Sequence, residues 1–289
     1  MVIKHIFSIK LPKHYNLSLT FYPSFTYPLY RFMENRAVKD IGVCSGTIFT
    51  FYKDHVYIDG PCNRDVIEEL LGLWFDPSEY IDSVSKRYKD YILGLVNRFN
   101  GIRLAISPSD RIWVFIAVFL SKATNFHINT VKWVREIASI GLNNFIKNGY
   151  RSIGNSFQLK QLWHLLNESN IIDVLGSFNP YSFNDSWKLR RKLLEYKYIG
   201  VKTVDAFLLF ATKFSFFTPI DRHYKKFLVQ KLGLRSYREP LDKLCKLYNC
   251  YICPLNRKCL SYFSRRNFGK LSGWIQTLSY LAGNKLLNI

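Results

Sequence analysis

The stretch Tyr196 to Leu228, YKYIGVKTVDAFLLFATKFSFFTPIDRHYKKFL, decides how this chain reads. One helix ends, the backbone turns at Gly200, a new helix begins near Lys202, and a third follows Pro219 after a loop. Glycine in such a turn lets the backbone come close to a ligand. The amides opening the next helix have no partner inside it, so they can bind an anion such as a phosphate. Gly200, Val201 and Thr203 would therefore form a clamp for a nucleic-acid backbone. Lys202 stands at the mouth of that clamp, and Asp221 caps the following helix.

Beyond this stretch lie four cysteines within one short segment, Cys245, Cys250, Cys253 and Cys259, spaced C-x4-C-x2-C-x5-C. Four thiolates suit zinc or an iron–sulfur cluster equally in ligand type. In an intracellular protein such a set reads as a metal or iron–sulfur site before it reads as disulfides. Cys44 and Cys62 stand apart in sequence and read as core residues or inert thiols.

Toward the N-terminus the pattern changes. NLSLTFY, VCSGTIFTFY and KDHVYIDG are rich in β-branched and aromatic residues and read as strands. VIEELLGLWF then repeats its apolar residues at three and four, as a helix does. Asp76-Pro77-Ser78-Glu79 resembles a capped helix start, and Ser107-Pro108-Ser109-Asp110 repeats the device before an apolar run to Leu120. The expectation is a mainly α protein: a small N-terminal α/β domain with an antiparallel sheet over 1–80, a helical domain over 81–240, the cysteine loop over 241–265 and a C-terminal helix over 266–289.

The chain has 289 residues, of which 48% are hydrophobic, so it can bury a full core. Its longest apolar stretch, Ile112–Leu120, is too short for a bilayer, which needs ~20 residues. The opening MVIKHIFSIKLPK lacks the apolar length and small-residue site of a secretory signal. An intracellular protein is expected, cytoplasmic in a prokaryote or nuclear in a eukaryote, with no membrane partner. The net charge is +20, and from Ser186 to Ile289 there are 21 lysines and arginines against 5 acidic residues. Such a surface suits a polyanion, because neutralising phosphates releases counterions. A solubilising surface or an anionic membrane contact would carry the same charge.

The central stretch resembles the helix–hairpin–helix superfamily of DNA glycosylases, which includes endonuclease III and the 8-oxoguanine glycosylases. Their hairpin reads roughly LPGVGxKTA, similar to Gly200-Val201-Lys202-Thr203-Val204, and their VDTHV element is similar to Ile220-Asp221-Arg222-His223-Tyr224. Lys197 and Tyr198 depart from the family's Pro and Gly. Endonuclease III and its relatives carry C-x6-C-x2-C-x5-C around a [4Fe–4S] cluster, matching the last two spacers here.

The resemblance implies a helix–hairpin–helix glycosylase fold, with Lys202 as nucleophile and Asp221 stabilising charge on the sugar. It implies a bifunctional enzyme that excises a base through a Schiff base and then cleaves the strand. The four cysteines would hold a [4Fe–4S] cluster, with Arg257, Lys258, Arg265 and Arg266 meeting phosphates beside it.

Lys122-Ala123-Thr124-Asn125 is similar to the family segment QATD, whose first residue fills the gap left by an extruded base. Lys122 is placed in that role or in a phosphate contact, with Asn125 as a further DNA contact. His223 reads as structural. Trp113, Trp133, Trp163, Trp187 and Phe207 are the aromatic residues of the helical region from which a base pocket would draw.

An N-terminal strand domain occurs in the 8-oxoguanine and alkyladenine members, whereas endonuclease III lacks it. The expected substrate is an oxidised base, 8-oxoguanine first, in double-stranded DNA bound by a monomer. Alkylated, deaminated or mismatched bases remain as alternatives, as does a non-catalytic DNA-binding iron–sulfur protein.

Overall fold

The computed structural model describes residues 5–289; the first four, part of the stretch read for a secretory signal, lie outside the described residues. Five strands form an antiparallel sheet in the order β1-β5-β4-β3-β2. They are β1 (His5–Lys10), β2 (Tyr30–Met33), β3 (Arg36–Lys39), β4 (Ile48–Tyr52) and β5 (His55–Gly60). The alternation expected of β5 holds: Val56 and Ile58 are buried while Tyr57 is exposed. Phe49 pairs with Ile58 and Ala37 with Phe49, so one face of the sheet carries the apolar side chains.

NLSLTFY is a correction. It forms a short helix, α1 (Leu17–Phe21), not a strand. Asn16 caps it by accepting from the Leu19 amide at 2.9 Å, and Pro23 soon stops any extension. Cys44 and Cys62 are buried, as core residues would be, but they are bonded to each other and are not free thiols. Left-handed backbone at Gly42, Cys44 and Gly46 folds the β3–β4 loop back until the two Cα atoms are 5.1 Å apart.

The remaining described helices are α2 (Arg64–Leu70), α3 (Lys89–Phe99), α4 (Arg111–Leu120), α5 (Val131–Ile140), α6 (Leu142–Asn148), α7 (Phe157–Glu168), α8 (Ile171–Ser177), α9 (Phe183–Leu193), α10 (Val201–Ala211), α11 (Arg222–Leu232), α12 (Asp242–Leu247), α13 (Leu260–Phe268) and α14 (Ser272–Gly283). Asp76 does cap a helical segment, Pro77–Ser83, but it is of the tighter 3₁₀ type.

Helix α4 is the spine. Val114 to Leu120 are all buried, and each such aliphatic or aromatic side chain contributes roughly 1.5–3 kcal/mol by leaving water. It packs on α10, with Phe115 edge-on to Phe207 at 5.7 Å, and on α5, α7 and α8. A buried ion pair, Lys39 to Asp110 at 2.8 Å, ties the sheet to the start of α4. At the other end of the chain, the Trp274 indole donates to the Ile102 carbonyl at 2.8 Å, so α14 returns to the core.

Candidate active site

The hairpin forms between α9 and α10. Tyr198 has φ +69°, the left-handed conformation that a glycine would adopt without strain. Tyr198 thus holds the turn despite the departure from the family pattern. Gly200 caps α10 and, being small, leaves room for Asp242, whose carboxylate a Cβ there would meet at 3.2 Å. The Val201 amide donates to Asp242 Oδ1 at 2.9 Å. One amide of the expected phosphate clamp is thus already satisfied by the protein's own carboxylate. The first helical bond is Val204 N to Gly200 O, so the amides of Lys202 and Thr203 lie before it. The Thr203 side chain is buried, which leaves it only its backbone for a DNA contact.

Lys202 is exposed in the first turn of α10. Asp221 caps α11, with Oδ1 accepting from the Tyr224 amide at 2.7 Å and Oδ2 from Gln276 Nε2 at 2.7 Å. Two elements distant in sequence therefore fix the orientation of one carboxylate. Lys202 and Asp221 line the same cavity of about 840 Å³. A carboxylate oxygen has two lone pairs, so each can still face a charge in the cavity.

The walls supply an aromatic surface. Phe25 stands edge-on to Phe126 at 5.1 Å and to Phe210 at 5.4 Å, and Tyr22 and Tyr280 are 6.4 Å apart. All five rings line the cavity. None of Trp113, Trp133, Trp163, Trp187 and Phe207 does, and Phe207 instead packs in the core. Sequence reading missed Tyr22, Phe25, Gln276 and Tyr280. The one available signal was a glutamine four residues before a tyrosine in the uncharged α14, a spacing that puts both on one face.

His223 lines the cavity edge-on to Tyr280 at 5.7 Å, and burial lowers its pKa although Asp221 works the other way. His127 is stacked on Tyr22 at 3.8 Å, and burial lowers its pKa as well.

Lys122 lies beside the hairpin. Its ammonium donates to Gln161 Oε1 at 3.0 Å and to the Tyr198 carbonyl at 3.2 Å, and it lies 3.4 Å from the centre of the Phe119 ring. It does not line the cavity, and burial pushes its pKa down to about 8. Asn125 does line the cavity, with its side chain accepting from the Ile128 amide at 3.2 Å. Ile128, on the same rim, is exposed. Beside Lys202 a second cavity of about 500 Å³ is lined by Arg222, Lys225 and Lys226, a basic face that suits phosphates.

The cysteine loop packs below the hairpin. Cys245 sits on α12 and Cys259 caps α13; both are buried, as is Cys250, and Cys253 is half-buried. Cys245, Cys253 and Cys259 line one small cavity. Burial pushes the Cys245 thiol up to about 11, against the pull of Arg190. No group of three or more histidine, cysteine, aspartate or glutamate side chains among the described residues is placed to hold a metal ion. Arg257 and Lys258 are exposed on this loop, and so is Arg266. Arg265 is a correction: it points inward, donating to Cys250 Sγ at 2.8 Å and to Asp205 at 3.2 Å, and is no phosphate contact.

No protein-family model matches the sequence, and no curated protein matches it significantly. Solved structures do match along the whole chain. The Clostridium acetobutylicum 8-oxoguanine glycosylase/lyase, in complex with DNA containing cytosine opposite 8-oxoguanine, is 17% identical with a TM-score of 0.65 over 99% of this chain and 100% of that one. MBOgg1, with a low-affinity DNA ligand, is 17% identical with a TM-score of 0.67, covering 98% and 96%. The 3-methyladenine DNA glycosylase of Archaeoglobus fulgidus is 14% identical with a TM-score of 0.62, covering 98% and 100%. A mainly helical chain, with an N-terminal antiparallel sheet and a hairpin between α9 and α10, thus has the helix–hairpin–helix DNA glycosylase fold from end to end.

Proposed function

We propose that the chain is a base-excision DNA glycosylase with an associated lyase activity, acting as a monomer on double-stranded DNA inside the cell. The observation that carries this reading is the meeting of Lys202 and Asp221 in one aromatic-walled cavity at the mouth of the hairpin. The fold's likeness to an 8-oxoguanine glycosylase/lyase supports it.

A nucleotide extruded from the duplex would stack on the rings of the cavity. The Lys202 amine, having given its proton to water with Asp221 remaining a carboxylate, attacks C1′ of the sugar. The C1′–N bond breaks, the electron pair leaves with the base, and the base is protonated. Asp221 stabilises the positive charge that develops on the sugar during this step. Opening of the sugar ring gives an imine between Lys202 and C1′. The imine makes the C2′ proton acidic, and its removal expels the 3′ phosphate and cuts the strand. Water then releases Lys202.

The preferred substrate in this reading is an oxidised purine such as 8-oxoguanine. A wall of five aromatic rings also suits a cationic alkylated base, and the likeness to a 3-methyladenine glycosylase favours that second reading.

Four thiols on one loop, three of them on one cavity, have the donor chemistry of a [4Fe–4S] site, although no three of them among the described residues are gathered to hold a metal ion. When bound, the cluster would pin the loop and present Arg257 and Lys258 to phosphates. Iron and sulfide analysis of anaerobically purified protein tests this, and colourless protein with zinc would refute it.

Borohydride trapping on a panel of duplexes bearing different lesions tests the enzyme. A covalent adduct that is lost in Lys202→Gln supports the reading. No adduct, or one that survives the substitution, overturns the lyase assignment.

A further inference from the structure

His127 lies in the turn Phe126–Thr130 that follows the Asn125 cap, on the wall of the large cavity. Aromatic rings clasp it: it is stacked on Tyr22 at 3.8 Å and edge-on to Tyr27 at 5.2 Å and to Phe126 at 4.9 Å. Such packing fixes the plane of the imidazole. Its Nε2 is buried and has no hydrogen-bond partner among the described residues. Its Nδ1 likewise has no partner there but stays accessible, so Nδ1 is the polar atom this ring offers to the cavity.

A neutral imidazole has one N–H and one lone pair. An orphaned buried N–H is rarer than an under-satisfied acceptor, which leaves the lone pair on Nε2 and the proton on Nδ1. A second proton would bury a charge among the rings, and burial lowers the pKa of His127 accordingly. His223, the other histidine on this cavity, is already engaged: its Nε2 faces Arg222 Nη2 at 3.4 Å. Its Nδ1 packs on α14 at Gly283, where a Cβ would meet it at 1.8 Å. Lys202 and Asp221 both act at the sugar, so the electron pair that leaves with the base still needs a donor.

We propose that His127 donates a hydrogen bond from Nδ1 to a carbonyl oxygen or ring nitrogen of the extruded base and stabilises that base as it departs. This rests on the reading of the cavity as the site of base excision. As the C1′–N bond breaks, its electron pair passes to the base, and the bond from Nδ1–H strengthens with the growing negative charge. The proton stays on Nδ1, and water protonates the released base. A neutral oxidised base leaves as an anion and needs this donor. A cationic alkylated base leaves neutral and gains little from it, so His127 suits the site to neutral lesions.

The ¹⁵N spectrum of the histidine rings, with His127 assigned by the signal missing from His127→Phe, reads the tautomer without any substrate. Nδ1–H is expected; Nε2–H or a doubly protonated ring at neutral pH overturns the proposal. Single-turnover release of 8-oxoguanine, or of the neutral lesion that wild-type protein excises fastest, should fall about 10- to 100-fold in His127→Phe. Phenylalanine keeps the stack on Tyr22 and lacks the donor. His127→Asn, whose amide stands near the place of Nδ1, should recover part of the rate, and His127→Gln should not. Release of cationic 7-methylguanine and cutting at a preformed abasic site should lose much less. Equal losses on all three substrates would make the ring a structural part of the wall and overturn the proposal, as would unchanged release of the neutral lesion. Wild-type protein that excises cationic bases alone overturns it and leaves excision standing, whereas protein that excises no base overturns both readings.

Discussion

Asp205→Asn should be among the most destabilising conservative substitutions in this protein. The side chain is 1% exposed and receives two guanidiniums through hydrogen bonds of 2.6–3.2 Å. Asparagine keeps the shape and one acceptor oxygen but removes the charge. Breaking a buried pair on one side costs about 3–5 kcal/mol, because the partner is left buried and uncompensated. The retained oxygen puts the expectation at the lower end, about 3 kcal/mol. For a chain of this size each kcal/mol moves the unfolding midpoint by roughly 2–4 °C, so a fall of roughly 6–12 °C is expected.

The exposed pair Arg64–Glu68, at 3.0 Å, is the control: Arg64→Gln should change stability by no more than about 1 kcal/mol. Both are read by far-ultraviolet circular dichroism during thermal unfolding, with metal content matched between samples. A fall of under about 2 °C for Asp205→Asn would refute the reasoning, since it would mean that Asp205 does not carry the charge of the two arginines.

Further outcomes follow from the site. Lys122 should titrate near pH 8, visible by NMR of ¹³C-methylated lysines; a midpoint near the ordinary 10.5 would mean that the amine is solvated. Because its folded pKa lies below the unfolded one, the unfolded chain binds more protons between those values. Stability should therefore rise with pH through that window, and Lys122→Met should flatten the rise. Asp242→Asn should strengthen binding to undamaged duplex by about two- to fivefold in fluorescence anisotropy, since it removes a carboxylate from the Val201 amide. Weaker binding would mean that Asp242 organises the hairpin more than it competes for it. Tyr280→Ala should cost about 1–3 kcal/mol of binding to duplex carrying an excisable base, with little loss on a stable abasic analogue. Equal losses on both would place the ring outside the base site.

What the sequence determined by itself is local. The Gly200 turn, the helix start at Lys202 and the Asp221 cap follow from residue types at fixed offsets, because caps and turns are built from neighbours in the chain. The gathering of four cysteines on one loop is likewise written in their spacing. Tertiary structure decided whatever needed a distant partner. NLSLTFY carries apolar residues suited to either a strand or a helix, and it sits as a helix held by distant partners, the Asn16 amide donating to the Gly101 carbonyl and the Arg103 amide to Thr20 Oγ1.

The Cys44–Cys62 bond depended on a loop folding back on itself, and Arg265 turned inward only because Asp205 and Cys250 wait there. The cavity itself is assembled from Tyr22, Lys202 and Gln276, which no periodicity relates. They meet because packing against the α4 core brings both ends of the chain to the mouth of the hairpin.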